Sequence, residues 1–347
     1  MCTNIVLSAS QCSDSRLSAR SMDYAGNAGL KFSVRYMPVK QSFPSFPPSQ
    51  NPFKWTNDLA FVGVIAVDKV AIPYFYDGLN TAGLSAACLN LPESVFPQPS
   101  ESTPNLHIGD LVGWALGTCS TVDDVYTGLT KSFTVIAQKL GTPLALHVVF
   151  TDSTGAVLVV EFVNGVMQIY PSKTTLPPGP VLTNAPTLDW HLANLPNYAN
   201  LGVVNVPQSF FGQQLNGSGL RGLPGDGTPP SRFVRASTML ETMYRPQNVQ
   251  QSVGLALQLI EACATPYGTI ATMVKEVETI SECTQWITIR DHQNLVYYYS
   301  SAFNPVLSRI ELKSLTGDKV QTLAMGSGAW YEDVTSSFVA AAAPPET

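Results

Sequence analysis

Met1-Cys2-Thr3-Asn4-Ile5-Val6-Leu7-Ser8 is the stretch on which the reading of this chain turns. From Thr3 onward it is a short apolar run with β-branched residues, the composition of a buried strand. A cysteine stands at its head. Methionine is generally removed from a nascent chain when the next residue is small, and Cys2 is small. Once Met1 is gone, Cys2 carries a thiol and a free α-amine on one residue. The thiol is a nucleophile. The amine, with an ordinary pKa near ~7.7–8.0, can hold or pass a proton at neutral pH. A nucleophile paired with its own terminal amine as base is an established route to covalent catalysis.

Working outward, Leu17–Tyr24 reads as the hairpin partner of this strand, and it contains Arg20 and Asp23. A guanidinium near a thiol favours the thiolate, and a carboxylate near the α-amine can orient it and hold its proton. On a regular strand residues 20 and 23 point to opposite faces. If both serve one site, the strand should end or bulge between them. Leu30–Met37 alternates Phe32, Val34 and Tyr36 against Lys31, Ser33 and Arg35, the period of a half-buried strand. Pro38–Pro52 reads as a loop, and Ala60–Val67 and Gly83–Asn90 as buried strands. Thr121 before Asp123 and Asp124 marks a helix start running to about Lys131. Leu146–Phe150, Ala156–Phe162 and Val166–Tyr170 read as a meander.

The segment 194–230 is rich in Gly, Pro, Asn and Gln but holds Phe210, Phe211 and Leu220, so it reads as a long ordered loop. Helices follow over Ser231–Met243 and Asn248–Cys263, then strands over Thr284–Ile289, Leu295–Ser301 and Arg309–Leu315, with a frayed tail over Ala340–Thr347. Strands at both ends with helices between do not alternate as βαβ units. That favours an α+β fold of antiparallel sheets with helices outside, in one domain spanning 1–347.

The composition excludes several classes. With 347 residues, 45% hydrophobic, a sizeable core can be buried. Net charge is −6 with no basic run, which argues against nucleic acid. No apolar stretch approaches the ~18 residues of a membrane span. No signal peptide opens the chain, so the expected compartment is cytoplasmic. Periplasmic or secreted protein whose signal Met1 replaces is the alternative. The six cysteines show no CxxC and no zinc spacing. If Cys2 is a free nucleophile an odd number remains, and the others read as buried small apolar residues.

Gly217-Ser218-Gly219-Leu220-Arg221-Gly222 matches a dinucleotide fingerprint literally, but no strand leads into it and Pro224 forbids the helix that would follow. The histidines lack metal-ligand spacing, and His147 and His191 read as core or surface residues. Asn90 and Asn184 each close an apolar run just ahead of a proline-containing turn. Such an amide is a turn former and also a rigid, uncharged oxyanion donor. Arg232 opens a helix after Gly225-Asp226-Gly227-Thr228-Pro229-Pro230-Ser231.

Taken in order, these pieces resemble the choloylglycine hydrolase family of N-terminal-nucleophile hydrolases, which holds bile salt hydrolases and penicillin V acylases. The resemblance is carried by Met1-Cys2-Thr3, Ala19-Arg20-Ser21-Met22-Asp23, Asp77-Gly78-Leu79-Asn80 with Gly83-Leu84, and Leu89-Asn90. It continues through Leu182-Thr183-Asn184-Ala185-Pro186 with Asp189-Trp190-His191, Gly222-Leu223-Pro224-Gly225-Asp226 with Ser231-Arg232-Phe233, Thr284-Gln285-Trp286, and Tyr297-Tyr298-Tyr299. The resemblance implies a four-layer αββα sandwich with two stacked antiparallel sheets. It also implies hydrolysis of a linear, non-peptide amide through a thioester on Cys2, with no cofactor. Carried over residue by residue, Arg20 and Asp23 flank the nucleophile. Asn90 offers its backbone N–H and Asn184 its side-chain amide to the oxyanion, and Arg232 supports the site electrostatically. Met22 and Tyr24 line an apolar acyl pocket.

The resemblance further implies a homotetramer, with Asn194–Pro230 as the segment exchanged between subunits. Tyr24 stands where some members have Trp, and Asn80-Thr81-Ala82-Gly83 replaces the commoner Asn-Glu-Lys-Gly. At Asn90 bile salt hydrolases tend to carry Asn and penicillin V acylases Tyr, which tilts the expected substrate toward bile salts. The alternatives are the same chemistry on N-acyl homoserine lactones or other N-acyl amides, and an inactive relative that binds apolar acids.

Overall fold

The computed structural model describes residues 2–7, 12, 15–25, 31–43, 51–67, 74–137, 144–171, 181–215, 217–274, 278–302 and 304–337. Two antiparallel sheets dominate. The first contains β1 (Cys2–Val6), β2 (Leu17–Ala25), β10 (Val181–Leu182), β11 (Ile270–Val274), β12 (Glu278–Asp291), β13 (Val296–Ser301) and β14 (Asn304–Glu311). Their order is β10-β1-β2-β12-β13-β14, with β11 on the first half of β12. The second contains β3 (Phe32–Met37), β4 (Phe61–Ala66), β5 (Phe75–Asn80), β6 (Ser85–Asn90), β7 (Leu146–Thr151), β8 (Val157–Val163), β9 (Val166–Pro171) and β15 (Gln321–Ala324). Their order is β9-β8-β7-β6-β5-β4-β3-β15.

The run Phe61–Ile65 is buried on both faces. Val62 and Val64 pack in the core that also receives first-sheet residues, while Phe61 and Ile65 pack with α1 (Leu111–Thr118) and α2 (Val122–Lys131). A strand covered on both faces has no reason to alternate, and this is why Phe61–Ile65 reads as a continuous apolar run. On the far side, α4 (Pro229–Thr242) and α5 (Val249–Glu261) bury Phe233, Leu240, Ala256 and Ile260 against the first sheet. The result is the helix–sheet–sheet–helix sandwich the sequence implied. Thr121 caps α2 as expected, in a reciprocal capping box with Asp124.

The sequence pattern did not reveal α1, α3 (Leu188–Asn194) or β5. The strand expected at Arg309–Leu315 instead runs Asn304–Glu311 as β14 and ends in a short 3-10 turn, and β15 follows it. Ser8, Leu30 and the tail Ala340–Thr347 lie outside the described residues. The segment 194–230 carries a 3-10 turn at Leu195–Tyr198 and a ribbon of Gln208–Phe210 with Gln213–Leu215. The glycine-rich 217–222 forms turns, with no helix before α4. Among the described residues no helix is long and apolar enough to cross a membrane.

Two turns meet where His292 packs on Gly83. Its Nδ1 lies 2.9 Å from the Gly83 carbonyl oxygen and its Nε2 2.9 Å from Ser18 Oγ. Gly83 has φ 87°, and a Cβ there would stand 2.3 Å from the His292 carbonyl oxygen, so this approach needs glycine. Burial holds the His292 imidazole down at about 4. In the unfolded chain the ring takes its proton near 6.5. The unfolded state therefore binds more protons below that pH. The neutral ring's contribution is complete above about 6.5 and is lost as pH falls toward about 4, on the order of 3 kcal/mol in all. Urea unfolding at pH 7 and pH 4.5 should show this fall in the native protein and a shallower one in His292→Gln. Parallel slopes in the two proteins would refute it.

Candidate active site

The site is built around residue 2. Cys2 opposes Met22 in the β1–β2 ladder, and the two side chains share one face, with the Cys2 sulfur 3.5 Å from Met22 Sδ. Arg20, two residues before Met22, lies on that face too. Its Nη2 is 3.7 Å from the Cys2 sulfur and 3.4 Å from Met22 Sδ. The guanidinium is fully buried. It donates to the carbonyl oxygens of Tyr76 and Cys88, lies 3.9 Å from Asp77 Oδ2, and sits 4.9 Å from the centre of the Trp286 ring. Asp77 also accepts from Arg290 Nη1 at 2.5 Å and Tyr297 Oη at 2.8 Å, and Arg290 Nη2 donates to Asn4 Oδ1 at 2.7 Å. Asn4 is two residues along β1 from Cys2, so this buried network fixes the strand that carries Cys2.

Asp23 stands on the opposite face, one position past the Cys2–Met22 pair on the amino-terminal side of Cys2. The expected irregularity exists, but in the neighbouring strand. β2 runs unbroken through Asp23, and β12 shifts register between Thr284 and Trp286. Gln285 is the extra residue. A one-residue insertion turns every later side chain to the other face. Thr284 therefore joins Asp23, donating to its Oδ1 at 2.5 Å, while Trp286 joins Arg20 and Met22. Burial pushes the Asp23 carboxyl up, and the nearby Arg232 charge partly offsets this.

Arg232 arrives from the first turn of α4. Asp226 shapes the entry: its carboxylate accepts from the Thr228 N–H and hydroxyl and from Ser231 Oγ, which hold it down at about 2. Pro229 and Pro230 preset the helix start. The completely buried guanidinium donates to the Gly227 carbonyl at 3.0 Å, the Cys2 carbonyl, Thr3 Oγ1 at 2.5 Å and Asn184 Oδ1 at 2.9 Å.

Asn184 follows β10, which pairs with β1. The Cys2 nitrogen donates to Asn184 Oδ1 at 2.5 Å, and Asn184 Nδ2 donates to the Asn90 carbonyl at 2.7 Å. Leu91 N–H takes the ladder bond to Ala145, so Asn90, opposite Leu146, occupies a pair whose backbone groups face away from β7. Its N–H and C=O therefore point toward Asn184, while its exposed side chain donates to Ala145. Tyr24, two residues past Met22 in β2, is 44% exposed.

Sequence reasoning missed the groups that hold Asn184. His191 Nε2 sits 3.0 Å from the Asn184 carbonyl oxygen, and its ring stacks on Phe233, beside Arg232, at 4.6 Å. Glu161 anchors the α3 that carries it, accepting from the Leu188 N–H while lying 2.9 Å from His147 Nδ1. A carboxylate inside an apolar strand was the available signal. The six cysteines are all free and buried, and burial pushes Cys12 and Cys88 up to about 11 and Cys119 to about 12. Cys12, Cys88 and Cys119 are inert by that measure.

Two stacked antiparallel sheets between helices, with a cysteine at the head of a paired strand, define the N-terminal-nucleophile hydrolase fold. Over residues 2–323 the sequence matches the linear amide C–N hydrolases of the choloylglycine hydrolase family, and the chain belongs to that family. It is 29% identical to a bile salt hydrolase/transferase of Clostridium perfringens, over 93% of this chain and 96% of the relative. It is 26% identical to a penicillin V acylase of Pectobacterium atrosepticum, over 90% and 81%. In structure it resembles a conjugated bile acid hydrolase from C. perfringens (TM-score 0.77, 26% identity, 93% and 96% covered). It also resembles a penicillin V acylase from Agrobacterium tumefaciens (TM-score 0.72, 26% identity, 93% and 90% covered). The protein is an amidohydrolase acting on linear amides.

Proposed function

We propose that Cys2, freed by removal of Met1, is the nucleophile that cleaves the amide, taking the acyl group as a thioester. The observation that carries this is the grip on residue 2: nitrogen by Asn184, carbonyl by Arg232, sulfur between Arg20 and Met22. The α-amine takes the thiol proton, oriented by Asn184 Oδ1 and by Asp23 on the open side of the strand. Sulfur bonds to the substrate carbonyl carbon, and the oxyanion receives the Asn90 N–H and the remaining N–H of Asn184 Nδ2. The carbon–nitrogen bond breaks and the leaving amine takes the proton. Water then cleaves the thioester with the α-amine again as base. Met22 and Tyr24 contact the acyl group.

The acyl group is apolar and the leaving group an amino acid or related amine, as the names of both groups of relatives suggest. Free cysteines throughout support a cytoplasmic site of action. Strands from both chain ends in both sheets support one domain over 1–347. The exposed Val203, Val204, Val206, Phe210 and Phe211 support the segment 194–230 as a subunit contact of a homotetramer.

Intact-mass measurement should find the protein without Met1. Glycocholate, penicillin V and N-acyl homoserine lactones should then be offered, with acid quench to trap the acyl adduct. At least one should release its amine and leave an acyl mass on Cys2. Protein with an N-terminal cysteine that releases no amine from any of them would overturn the proposal.

A further inference from the structure

The side chain of Asn184 is held by Cys2, Arg232 and Asn90. Its backbone carbonyl is held by His191, whose Nε2 stands 3.0 Å from that oxygen and 3.3 Å from Thr183 Oγ1. Thr183 decides where the ring proton sits. Its one hydroxyl hydrogen goes to the Pro229 carbonyl at 3.1 Å, so toward His191 it can only accept. The Asn184 carbonyl can only accept as well. Nε2 therefore carries the proton and donates to both. The buried Nδ1 has no partner among the described residues. Burial holds the ring below the ordinary imidazole range. A second proton, on Nδ1, would add a cation near Arg232, against which only the Glu161 carboxylate of the second sheet acts, with His147 beside it.

The ring is also seated by its surroundings. It stacks on Phe233 of α4, the two rings 10° from parallel. α3 carries it, and the Thr187 side chain makes no cap for that helix. Glu161, on β8, takes the Leu188 N–H in its place at 3.1 Å. Its Oε1 lies 2.9 Å from His147 Nδ1 on the neighbouring β7. A buried carboxylate of the second sheet thus places a helix whose histidine reaches a residue beside β1 in the first.

From this geometry we infer that His191 is a positioning residue for the oxyanion site: its Nε2–H pins the Asn184 backbone, so that the second N–H of Asn184 Nδ2 stays aimed at the substrate oxygen. This rests on Asn184 as an oxyanion donor in the thioester chemistry proposed above. His191 acts only through Asn184. The oxyanion develops in the transition state and not in the bound substrate, so the loss of His191 should appear in kcat and leave KM in place.

The test compares two variants on whichever of glycocholate, penicillin V and an N-acyl homoserine lactone the native protein hydrolyses. His191→Phe keeps a ring to stack on Phe233 and loses the donor. It should lower kcat at least about tenfold, short of the roughly 10²–10³-fold cost of losing an oxyanion donor outright, with KM within about twofold. His191→Gln returns an N–H donor and should restore kcat to within about threefold of native. A native kcat in His191→Phe, or a folded His191→Gln no better than His191→Phe, overturns the inference. A second measurement needs neither variant nor turnover. The chain has four histidines, and in ¹⁵N-histidine-labelled native protein the ring in Overhauser contact with Phe233 should be neutral at pH 7 with its proton on Nε2. A proton on Nδ1, or an imidazolium, overturns the inference. If no amide is hydrolysed while the Nε2–H ring is found, the nucleophile reading fails and the hold of His191 on Asn184 stands.

Discussion

Cys2→Ala is expected to lower amide hydrolysis by at least about 10⁴-fold, the scale on which removal of a catalytic nucleophile acts, while leaving the protein folded. Cys88, the cysteine whose carbonyl touches Arg20, is no substitute, because burial pushes its thiol up to about 11 despite the nearby guanidinium. Cys2→Ser tests the same point with a poorer nucleophile in the same place. The amine half of the unit is tested separately. An added residue that leaves Cys2 intact but not terminal converts its amine to an amide, which cannot take a proton. Activity should fall almost as far as in Cys2→Ala. Thermal unfolding should remain cooperative in all three proteins, because the strand is held by its ladder and by the Asn4–Arg290–Asp77 network rather than by the sulfur. An extended protein with native activity would show that the amine is not the base.

Arg232→Ala is expected to be the most damaging single change to stability, about 3–5 kcal/mol, the range seen when one partner of a buried charged network is removed. It leaves acceptors on Gly227, Cys2, Thr3 and Asn184 without their donor, each carrying the desolvation cost of an unmade hydrogen bond. Activity should fall at least about 10²-fold, the loss typical of one preorganised polar group, because Asn184 and the Cys2 carbonyl lose their common anchor. The change also removes the cation that offsets burial at Asp23. The Asp23 carboxyl then rises further, so the acid limb of the pH–activity profile should move to higher pH. Arg232→Lys keeps the charge but not the fork of donors, and should restore the pH profile better than the rate. Denaturant unfolding and pH profiles of both variants check this. Destabilisation under about 1 kcal/mol would mean that Arg232 is not the anchor its contacts indicate.

Much of the frame was legible because local pattern and tertiary role agree. The alternation read over Leu30–Met37 falls on a strand at Phe32–Met37, although that strand is covered on both faces rather than half-buried, and Thr121 with Asp124 closes a capping box. α1 was illegible for the opposite reason. Leu-Val-Gly-Trp-Ala-Leu-Gly is buried on nearly every side, so it shows no polar face from which to read a helical period. α3 is seven residues long and depends on Glu161, a strand residue distant in sequence, to take its first N–H. Neither propensity nor period can report such a partner.

By itself the sequence determined the chemistry available: one thiol at the chain start, two arginines, a carboxylate and two amides in a fixed order, on strands of recognisable kind. Only the folded sheets decided which of those groups meet. Arg20 and Asp23 sit on opposite faces of β2, as their spacing requires, and serve one residue because Cys2 lies at the end of its strand, with its sulfur on one side and its nitrogen open to the other. That Thr284 backs the carboxylate while Trp286 backs the guanidinium follows from a single inserted residue in β12. The register between strands far apart in the chain is fixed by packing across the whole sheet, which no local pattern encodes.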